Sequence, residues 1–229
     1  MTPERNRIRW KPSWRLVPSR FPPVSLFDRV SNTEDMDVIQ AIEGLTNDRL
    51  REELGALHLV PEKERVYGPG TTPIMAAFTH LNPEGSRFTD GSYGVYYAAK
   101  TIKTAVTETL FQSARFLAAT HEPPIEIDMR SYASDIDTRL HDIRSMQGEL
   151  PATYHPDPAQ YGPAQLFANK LRDAGSSGIV YSSVRDPDGE CIAVFRPSVL
   201  KPVVQGQHYC YVWNGGQMTN VYVKTEYPQ

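Results

Sequence analysis

The stretch SRFTDGSYGVYYAAKTIKTAVTE, residues 86–108, decides the fold of the middle of this chain. Residues 94–99 within it are aromatic and β-branched, which favours a β-strand. Thr101 is a suitable cap for the helix that this pattern predicts to start at Ile102. An arginine, a tyrosine pair and a glutamate therefore surround one strand-to-helix transition, and such a grouping is typical of a functional site.

The composition is that of an ordinary globular protein. The chain has 229 residues, of which 40% are hydrophobic and 22% charged, enough for a core in one large or two small domains. A formal net charge of −3 offers no broad basic face, so we expect no direct contact with nucleic acid. The charged N-terminus lacks an apolar signal segment, and no stretch approaches eighteen apolar residues. We therefore expect a cytoplasmic protein with no membrane partner.

The cysteines and the short motifs exclude several kinds of site. Cys191 and Cys210 have neither a CxxC partner nor a histidine at ligand spacing, so we expect no metal site and two reduced cysteines buried in strands. The segment GPGTT, residues 68–72, lacks the lysine of a P-loop and is interpreted as a turn. No serine or cysteine stands in a GxSxG elbow, which disfavours a hydrolase triad.

The first 60 residues are predicted to form an extension that packs on the core. Residues 1–30 mix tryptophans and phenylalanines with prolines, which favours an extended surface segment and neither helix nor strand. Capping patterns predict two short helices, at residues 36–45 and 47–54. We therefore divide the chain into an extension, residues 1–60, and a main domain, residues 61–229.

The main domain shows alternating strand and helix patterns. A helix is predicted from Pro163 up to a stop at Gly175, and a proline-dense loop, residues 151–163, precedes it as a candidate border for a pocket. Asn214-Gly215-Gly216 predicts a hairpin. Strands are predicted at residues 94–99, 125–130, 178–183, 191–197, 208–213 and 217–223. A strand-rich core with helices segregated between the strands indicates the α+β class.

The position of Glu108 on its helix leaves two interpretations open. At 100° per residue the apolar stripe of this helix faces the core, and Glu108 points away from it. An arbitrary glutamate at such a place is usually a solvated surface charge. Thr104, Phe111 and Arg115 lie within about a turn on the same side, and an aromatic residue there indicates a second, partly covered face that opens on a cleft.

Five short motifs make the chain resemble the RES-domain family, which is named after arginine, glutamate and serine. They are RVYGPG with Arg65, GSRF with Arg87, GVYYAA with Tyr97, TAVTE with Glu108 and YSSVR with Ser183. The resemblance spans residues 64–201 and departs at Thr89, where family members commonly have asparagine. The family contains bacterial toxins that destroy NAD+ and are held in check by a partner antitoxin, usually an Xre-type helix-turn-helix protein.

The resemblance implies a fold and a substrate. The fold would be an ADP-ribosyltransferase-like core of small antiparallel β-sheets flanked by helices, with a helical N-terminal extension and with NAD+ in a cleft between the sheets. NAD+ would be the substrate, with no further cofactor and no metal. The expected partner is an Xre-type antitoxin that forms a hetero-oligomer with the chain and contacts DNA in its place.

The resemblance also implies a role for each matched residue. Nicotinamide leaves NAD+ as a neutral group, so one carboxylate near the ribose, Glu108, would stabilise the oxocarbenium-like charge. Arg65 and Arg87 would grip the pyrophosphate with paired hydrogen bonds. Tyr97 would stack on the cationic nicotinamide ring, and Ser183 would donate to a phosphate or the ribose. We expect Glu108, Arg65 and Tyr97 to be catalytic, and Arg65, Arg87, Tyr97 and Ser183 to bind NAD+.

Three functions from different classes remain open. The first, which we favour, is an NAD+ glycohydrolase or phosphorylase that acts as the toxin of a toxin–antitoxin pair. The second is a protein-modifying ADP-ribosyltransferase, which would share the NAD+-binding residues and differ in the acceptor. The third is a catalytically inactive interaction protein, in which Glu108 is a surface charge.

Overall fold

The computed structural model describes residues 2–19, 27–30, 32, 55–225 and 227. The predicted helices at residues 36–45 and 47–54 lie outside the described residues, and the domain boundary at residue 60 stays a prediction. The described strands are β1 (Arg5–Pro18), β2 (Tyr96–Ala99), β3 (Ile125–Asp142), β4 (Gly178–Ser182), β5 (Glu190–Val194), β6 (Val204–Trp213) and β7 (Met218–Lys224). The described α-helices are α1 (Thr72–Thr79), α2 (Ile102–Ala119) and α3 (Gly162–Asp173), and short 3₁₀ turns span Phe27–Arg29, Leu57–Leu59, Glu62–Glu64, Pro158–Gln160 and Pro197–Val199.

The described strands form one mixed sheet, and five of them pair in a closed ring. The strand order is β1-β2-β5-β4-β3-β6-β7, and β1 also pairs with β3, so the first five strands of this order form a ring. β4 runs parallel to β3 at the pairs His141↔Ile179 and Asp142↔Val180, while the other pairs are antiparallel. The α+β class is confirmed. The expectation of separate, purely antiparallel small sheets is wrong for the described strands, because the long β3 joins them.

The prediction that residues 1–30 contain no strand is wrong, because Arg5–Pro18 forms β1. This strand pairs with β3 from Arg5↔His141 to Pro18↔Met129. Its prolines are tolerated, since the register shifts between Trp10 and Ser13 and leaves Pro12 inside a bulge, where a missing N–H costs no ladder hydrogen bond. The burial of Ile8, Trp10 and Leu16 makes β1 part of the core.

Strand β3 is three times as long as the predicted segment at residues 125–130, because the part after residue 130 buries polar residues that interrupt the apolar pattern. Ser131 Oγ donates to the Gln207 carbonyl at 2.9 Å and Ser134 Oγ to the Lys201 carbonyl at 2.7 Å. His141 is 3% exposed and its Nε2 accepts a hydrogen bond from Arg5 Nε at 3.1 Å. Each buried polar group has a partner from another strand or loop, which satisfies it without apolar alternation.

Several local predictions are confirmed. Thr101 caps α2, which starts at Ile102, by accepting a hydrogen bond from the Thr104 N–H. Helix α3 covers Gly162–Asp173 and is followed by Gly175 at φ +80. The hairpin between β6 and β7 turns at residues 214–216, and both cysteines are free and buried, in β5 and β6.

Two apolar clusters lie on opposite faces of the sheet. The alternation of β2 and β4 places Tyr96 and Val180 in a first cluster, with residues of α1. It places Tyr97 and Tyr181 against a second cluster, with residues of α2 and α3. We call these the α1 face and the α2 face. Most of the predicted site residues lie on the α2 face.

Candidate active site

Glu108 and Ser183 meet directly in the structure. Glu108 lies two turns into α2 and is half-buried, and Ser183 follows β4 and is 5% exposed. The Ser183 hydroxyl donates a hydrogen bond of 2.6 Å to Glu108 Oε1. Helical periodicity predicts that Glu108 points away from the core, but the turn after β4 covers that side of the helix. The resemblance therefore linked two residues 75 positions apart that are hydrogen-bonded in space.

The turn after β4 holds the Ser183 hydroxyl in position. Its oxygen accepts the backbone N–H groups of Arg185 at 3.1 Å and Asp186 at 2.9 Å. With these two bonds made, the single hydroxyl hydrogen is directed to Glu108. The segment after β4 is also anchored to the start of α2, because the buried Asp186 carboxylate accepts hydrogen bonds from Thr104 Oγ1 at 2.8 Å and Lys103 Nζ at 2.9 Å. The Lys103 ammonium lowers the pKa of Asp186, and the Thr104 hydrogen bond lowers it further.

Tyr97 lies on β2 at the same face of the sheet. Its hydroxyl shares a hydrogen bond of 2.7 Å with Ser86 Oγ and accepts the Phe88 N–H at 3.0 Å. Burial raises the pKa of Tyr97 to about 12, so the phenol stays protonated at neutral pH. Burial also raises the pKa of the neighbouring Tyr181; the negative charge of Glu108 adds to this rise and Arg87 opposes it. Glu108, Arg87 and Tyr97 are thus within electrostatic reach of one phenol.

Arg87 is 8% exposed and is already bound to a loop of the protein. Its Nη1 donates to the carbonyl oxygens of Thr153 at 2.9 Å and His155 at 3.0 Å. Its Nη2 donates to the Tyr161 hydroxyl at 3.1 Å, and its guanidinium carbon lies 4.4 Å from the centroid of that ring. Arg87 therefore fastens the proline-dense loop, residues 151–161, beside the Glu108–Ser183 pair.

Arg65 makes a side-chain hydrogen bond outside the group of the other four predicted residues. Its Nε donates to the Val60 carbonyl at 3.0 Å, and the neighbouring Val66 and Tyr67 pack against the cluster on the α1 face. Among the described residues, no hydrogen bond or ion pair joins Arg65 to Arg87, Tyr97, Glu108 or Ser183. Its sequence neighbours alone could not predict on which face of the sheet it would lie.

Two residues of the site were not singled out from the sequence, namely Asp186 and Arg185. The guanidinium carbon of Arg185 lies 3.5 Å from the centroid of the Phe111 ring, one turn after Glu108 on α2. Its Nη2 donates to the Pro156 carbonyl. The signal that could have found both is their place, two and three residues after the matched Ser183 in a turn that ends a strand.

A cavity of about 1360 Å³ lies between α1 and the β1–β3 pair. Its wall includes Arg15, Ala76 and Tyr132 and reaches the candidate site at Ser86 and Tyr97. Glu108, Arg87 and Ser183 are not among the described residues of its wall. The volume is ample for a dinucleotide, but size alone does not locate chemistry, and the hydrogen-bonded carboxylate lies on the α2 face.

Two kinds of feature are absent from the described part of the chain. No group of three or more histidine, cysteine, aspartate or glutamate side chains in this part of the chain is arranged to hold a metal ion. No described helix combines the length and the apolar character needed to cross a membrane. The residues described above bring a carboxylate, hydroxyls and guanidinium groups to the candidate site.

Comparisons with known proteins agree with the matched motifs. The RES domain profile matches residues 64–214. The uncharacterized protein y4oC of Sinorhizobium fredii (strain NBRC 101917 / NGR234) is 33% identical over 211 residues, which cover 91% of this chain and 86% of that protein. A chain in the crystal structure of the M. tuberculosis MbcT-MbcA toxin-antitoxin complex aligns with a TM-score of 0.46 and 12% identity, over 96% of this chain and 87% of that chain. Because the profile covers more than half of the sequence, this chain belongs to the RES-domain family.

Proposed function

We propose that this chain is an NAD+-consuming toxin that cleaves the bond between nicotinamide and ribose and is neutralised by a cognate antitoxin. The observation that carries the proposal is the hydrogen bond of 2.6 Å between Ser183 Oγ and Glu108 Oε1, made by two residues of the family's motifs. The proposal includes an ADP-ribosyltransferase-like way of binding NAD+ beside the sheet. It is supported by family membership and by the chemistry of the residues on the α2 face.

The Glu108 carboxylate suits the stabilisation of a ribosyl cation. Ser183 occupies Oε1, while among the described residues Oε2 accepts no hydrogen bond and is left for a ribose hydroxyl. As nicotinamide leaves with the bonding electron pair, positive charge develops at the anomeric carbon, and a fixed carboxylate lowers the energy of that state. A water or phosphate oxygen then forms the new bond to this carbon, and a proton is released when water attacks.

The other matched residues have supporting roles in this proposal. Tyr97, protonated at neutral pH, offers an aromatic face to the cationic nicotinamide ring. Arg87 contributes positive charge and holds residues 151–161 next to the site. Arg65 stays a predicted ligand of the pyrophosphate, and its position on the α1 face requires that the dinucleotide extend to that face if the prediction is right.

An antitoxin that suppresses such an enzyme has to block its site. A carboxylate at the end of an antitoxin segment can imitate a phosphate and pair with arginines near Glu108. We propose an Xre-type partner that binds the chain tightly and competes with NAD+. The partner would also supply the DNA contact, since a net charge of −3 does not favour binding of this chain to DNA.

The test measures free nicotinamide from purified protein given NAD+ alone, NAD+ with phosphate, and NAD+ with cell lysate. Nicotinamide released without lysate supports the proposal, and phosphate dependence identifies a phosphorylase. ADP-ribose found on lysate proteins would instead support a protein-modifying transferase. If no nicotinamide appears in any mixture, the chain is an inactive interaction protein and the proposal is wrong.

A matched pair of variants assigns the chemistry to Glu108. Glu108→Gln should lower kcat by roughly 100- to 1000-fold, the size of losing one transition-state contact, with NAD+ still bound. Glu62→Gln, at an exposed glutamate outside the site, should leave kcat unchanged. Expression of the wild-type chain alone in bacteria should deplete NAD+ and stop growth, and Glu108→Gln should relieve both. Growth with normal NAD+ levels would contradict the toxin assignment.

A further inference from the structure

The arginines that the sequence assigns to the pyrophosphate are poorly placed to bind it. Arg87 is 8% exposed, and its two Nη groups already donate to Thr153, His155 and Tyr161. Arg65 lies on the α1 face, beside Val60. A diphosphate next to Glu108 therefore needs a guanidinium from elsewhere on the α2 face, because two negative charges are costly to bring beside a carboxylate without a cation.

The guanidinium of Arg185 lies against α2, about one turn of the helix after Glu108. Its backbone N–H donates to the Ser183 hydroxyl at 3.1 Å, so it belongs to the turn that positions the catalytic pair. Its guanidinium carbon lies 3.5 Å from the centroid of Phe111, which is three residues after Glu108 and on the same side of α2. The guanidinium therefore lies over the same side of the helix as the carboxylate.

The charge of Arg185 is not neutralised within the described part of the chain. No ion pair joins Arg185 to a described carboxylate, and its side-chain hydrogen bond goes to the neutral carbonyl of Pro156. The side chain is half-buried, so its charge is partly removed from water. A half-buried guanidinium that has one carbonyl partner retains donors for an anion, and phosphate oxygens accept such donors in pairs.

We infer that Arg185 binds the diphosphate of the substrate and does so by exchanging the Pro156 carbonyl for phosphate oxygens. Phe111 holds the plane of the guanidinium, since stacking of this kind suits arginine and not lysine. Because Pro156 belongs to the loop of residues 151–161, the exchange releases the loop from one of the two arginines that hold it, while Arg87 keeps its three hydrogen bonds to the loop. The inference rests on the proposed function, since it names the group that holds the same substrate beside Glu108.

The experiment uses the full chain with the Glu108→Gln substitution, so that bound NAD+ is not consumed. Calorimetry measures the affinity for NAD+ and, separately, for inorganic pyrophosphate. Adding Arg185→Gln should weaken both by roughly 10- to 100-fold, the usual loss for hydrogen bonds to a charged group. Adding Arg185→Lys should weaken both by a smaller factor, because it keeps the charge and loses the paired geometry. The control is Arg9→Gln, an exposed arginine on β1 that lies 3.6 Å from Asp137 and should change neither affinity by more than about twofold.

A second measurement separates binding from a purely structural role. In the chain with Glu108 intact, Arg185→Lys should raise KM for NAD+ and leave kcat within about threefold, because the lost contact is made in the ground state and the transition state alike. If both Arg185 variants bind NAD+ and pyrophosphate like their parent while the wild-type chain releases nicotinamide, the inference is overturned and the proposed function stands. If the parent binds neither ligand and the wild-type chain releases no nicotinamide, both are overturned.

Discussion

Replacement of Ser183 by alanine removes the group on which three hydrogen bonds of the site converge. The Ser183 hydroxyl donates to Glu108 at 2.6 Å and accepts the N–H groups of Arg185 and Asp186 at 3.1 and 2.9 Å, in a position that is 5% exposed. A hydrogen bond to a charged group contributes about 1.5–3 kcal/mol, and a buried N–H left without a partner costs about 1–3 kcal/mol. Water can reach the N–H of the half-buried Arg185, so we expect the free energy of unfolding to fall by about 3 kcal/mol in total.

The neighbouring Ser182 provides the matched control. Its hydroxyl donates one hydrogen bond, of 2.9 Å, to the neutral Arg144 carbonyl, so Ser182→Ala should cost only about 1 kcal/mol. Urea unfolding followed by circular dichroism measures both variants against the wild-type chain, with an unchanged slope m required for a comparison of free energies. For a chain of this size the Ser183→Ala loss corresponds to a fall in Tm of roughly 6–12 °C. If Ser183→Ala loses no more free energy than Ser182→Ala, the three bonds do not act together and the reasoning is refuted.

Three further predictions concern other groups of the site and core. The Lys103 ammonium lowers the pKa of Asp186, so the Asp186 carboxylate stabilises the folded chain above about pH 4, and this stabilisation is lost as the pH falls further. Urea unfolding should therefore show that the free energy of unfolding lost in Asp186→Asn becomes smaller below that pH. A loss that stays constant with pH would contradict this prediction. Arg87→Lys should speed amide hydrogen exchange in residues 151–161, since lysine cannot span the Thr153 and His155 carbonyls as the fork does; exchange as slow as in the wild-type chain would contradict this. Burial raises the pKa of the thiols of Cys191 and Cys210, so neither should react with Ellman's reagent at pH 8 until the chain is unfolded, when two equivalents should appear; reaction of the folded chain would show that the core opens.

The elements that sequence patterns predicted are those whose causes lie within a few residues. The Thr101 cap is made to Thr104, and the hairpin turn is held by the Asn214 side chain, which accepts the Gly216 and Gln217 N–H groups at 2.9 Å each. Such interactions need no knowledge of the rest of the fold, so propensity and capping rules are sufficient to predict them.

The elements that the patterns missed depend on partners far along the chain. Strand β1 has prolines that disfavour a strand locally, yet it pairs with β3 on both sides of its bulge. The part of β3 after residue 130 buries serines that are satisfied by the carbonyls of Gln207 and Lys201. Neither fact is visible in a window of neighbouring residues. Tertiary pairing therefore overrides the local preference in both strands.

The candidate site was predicted from motifs and not from periodicity. Helical spacing predicts only that Glu108 points away from the core. Ser183, which covers Glu108 and donates a hydrogen bond to it, lies 75 residues further along the chain. Arg65 and Arg87 look alike as sequence motifs, but the sheet places one on the α1 face and the other on the α2 face. The two arginines differ in the face of the sheet on which they lie, and a single sequence does not show this.

The closure of the strand ring by β1 sets a limit on when the candidate site can form during synthesis of the chain. β1 leaves the ribosome long before its partner β3, because the hydrogen bond from Ser13 Oγ to the Ser134 carbonyl joins residues that are 121 positions apart. At about 5–20 residues per second, the ribosome needs roughly 6–24 s to supply that partner, and the Ser183 turn comes later still. During this interval the apolar residues of β1, Ile8, Trp10 and Leu16, have no β3 to pack with, and the candidate site is not assembled. The chain therefore passes through a stage of synthesis in which β1 is complete and the hydrogen bond between Ser183 and Glu108 has not yet formed.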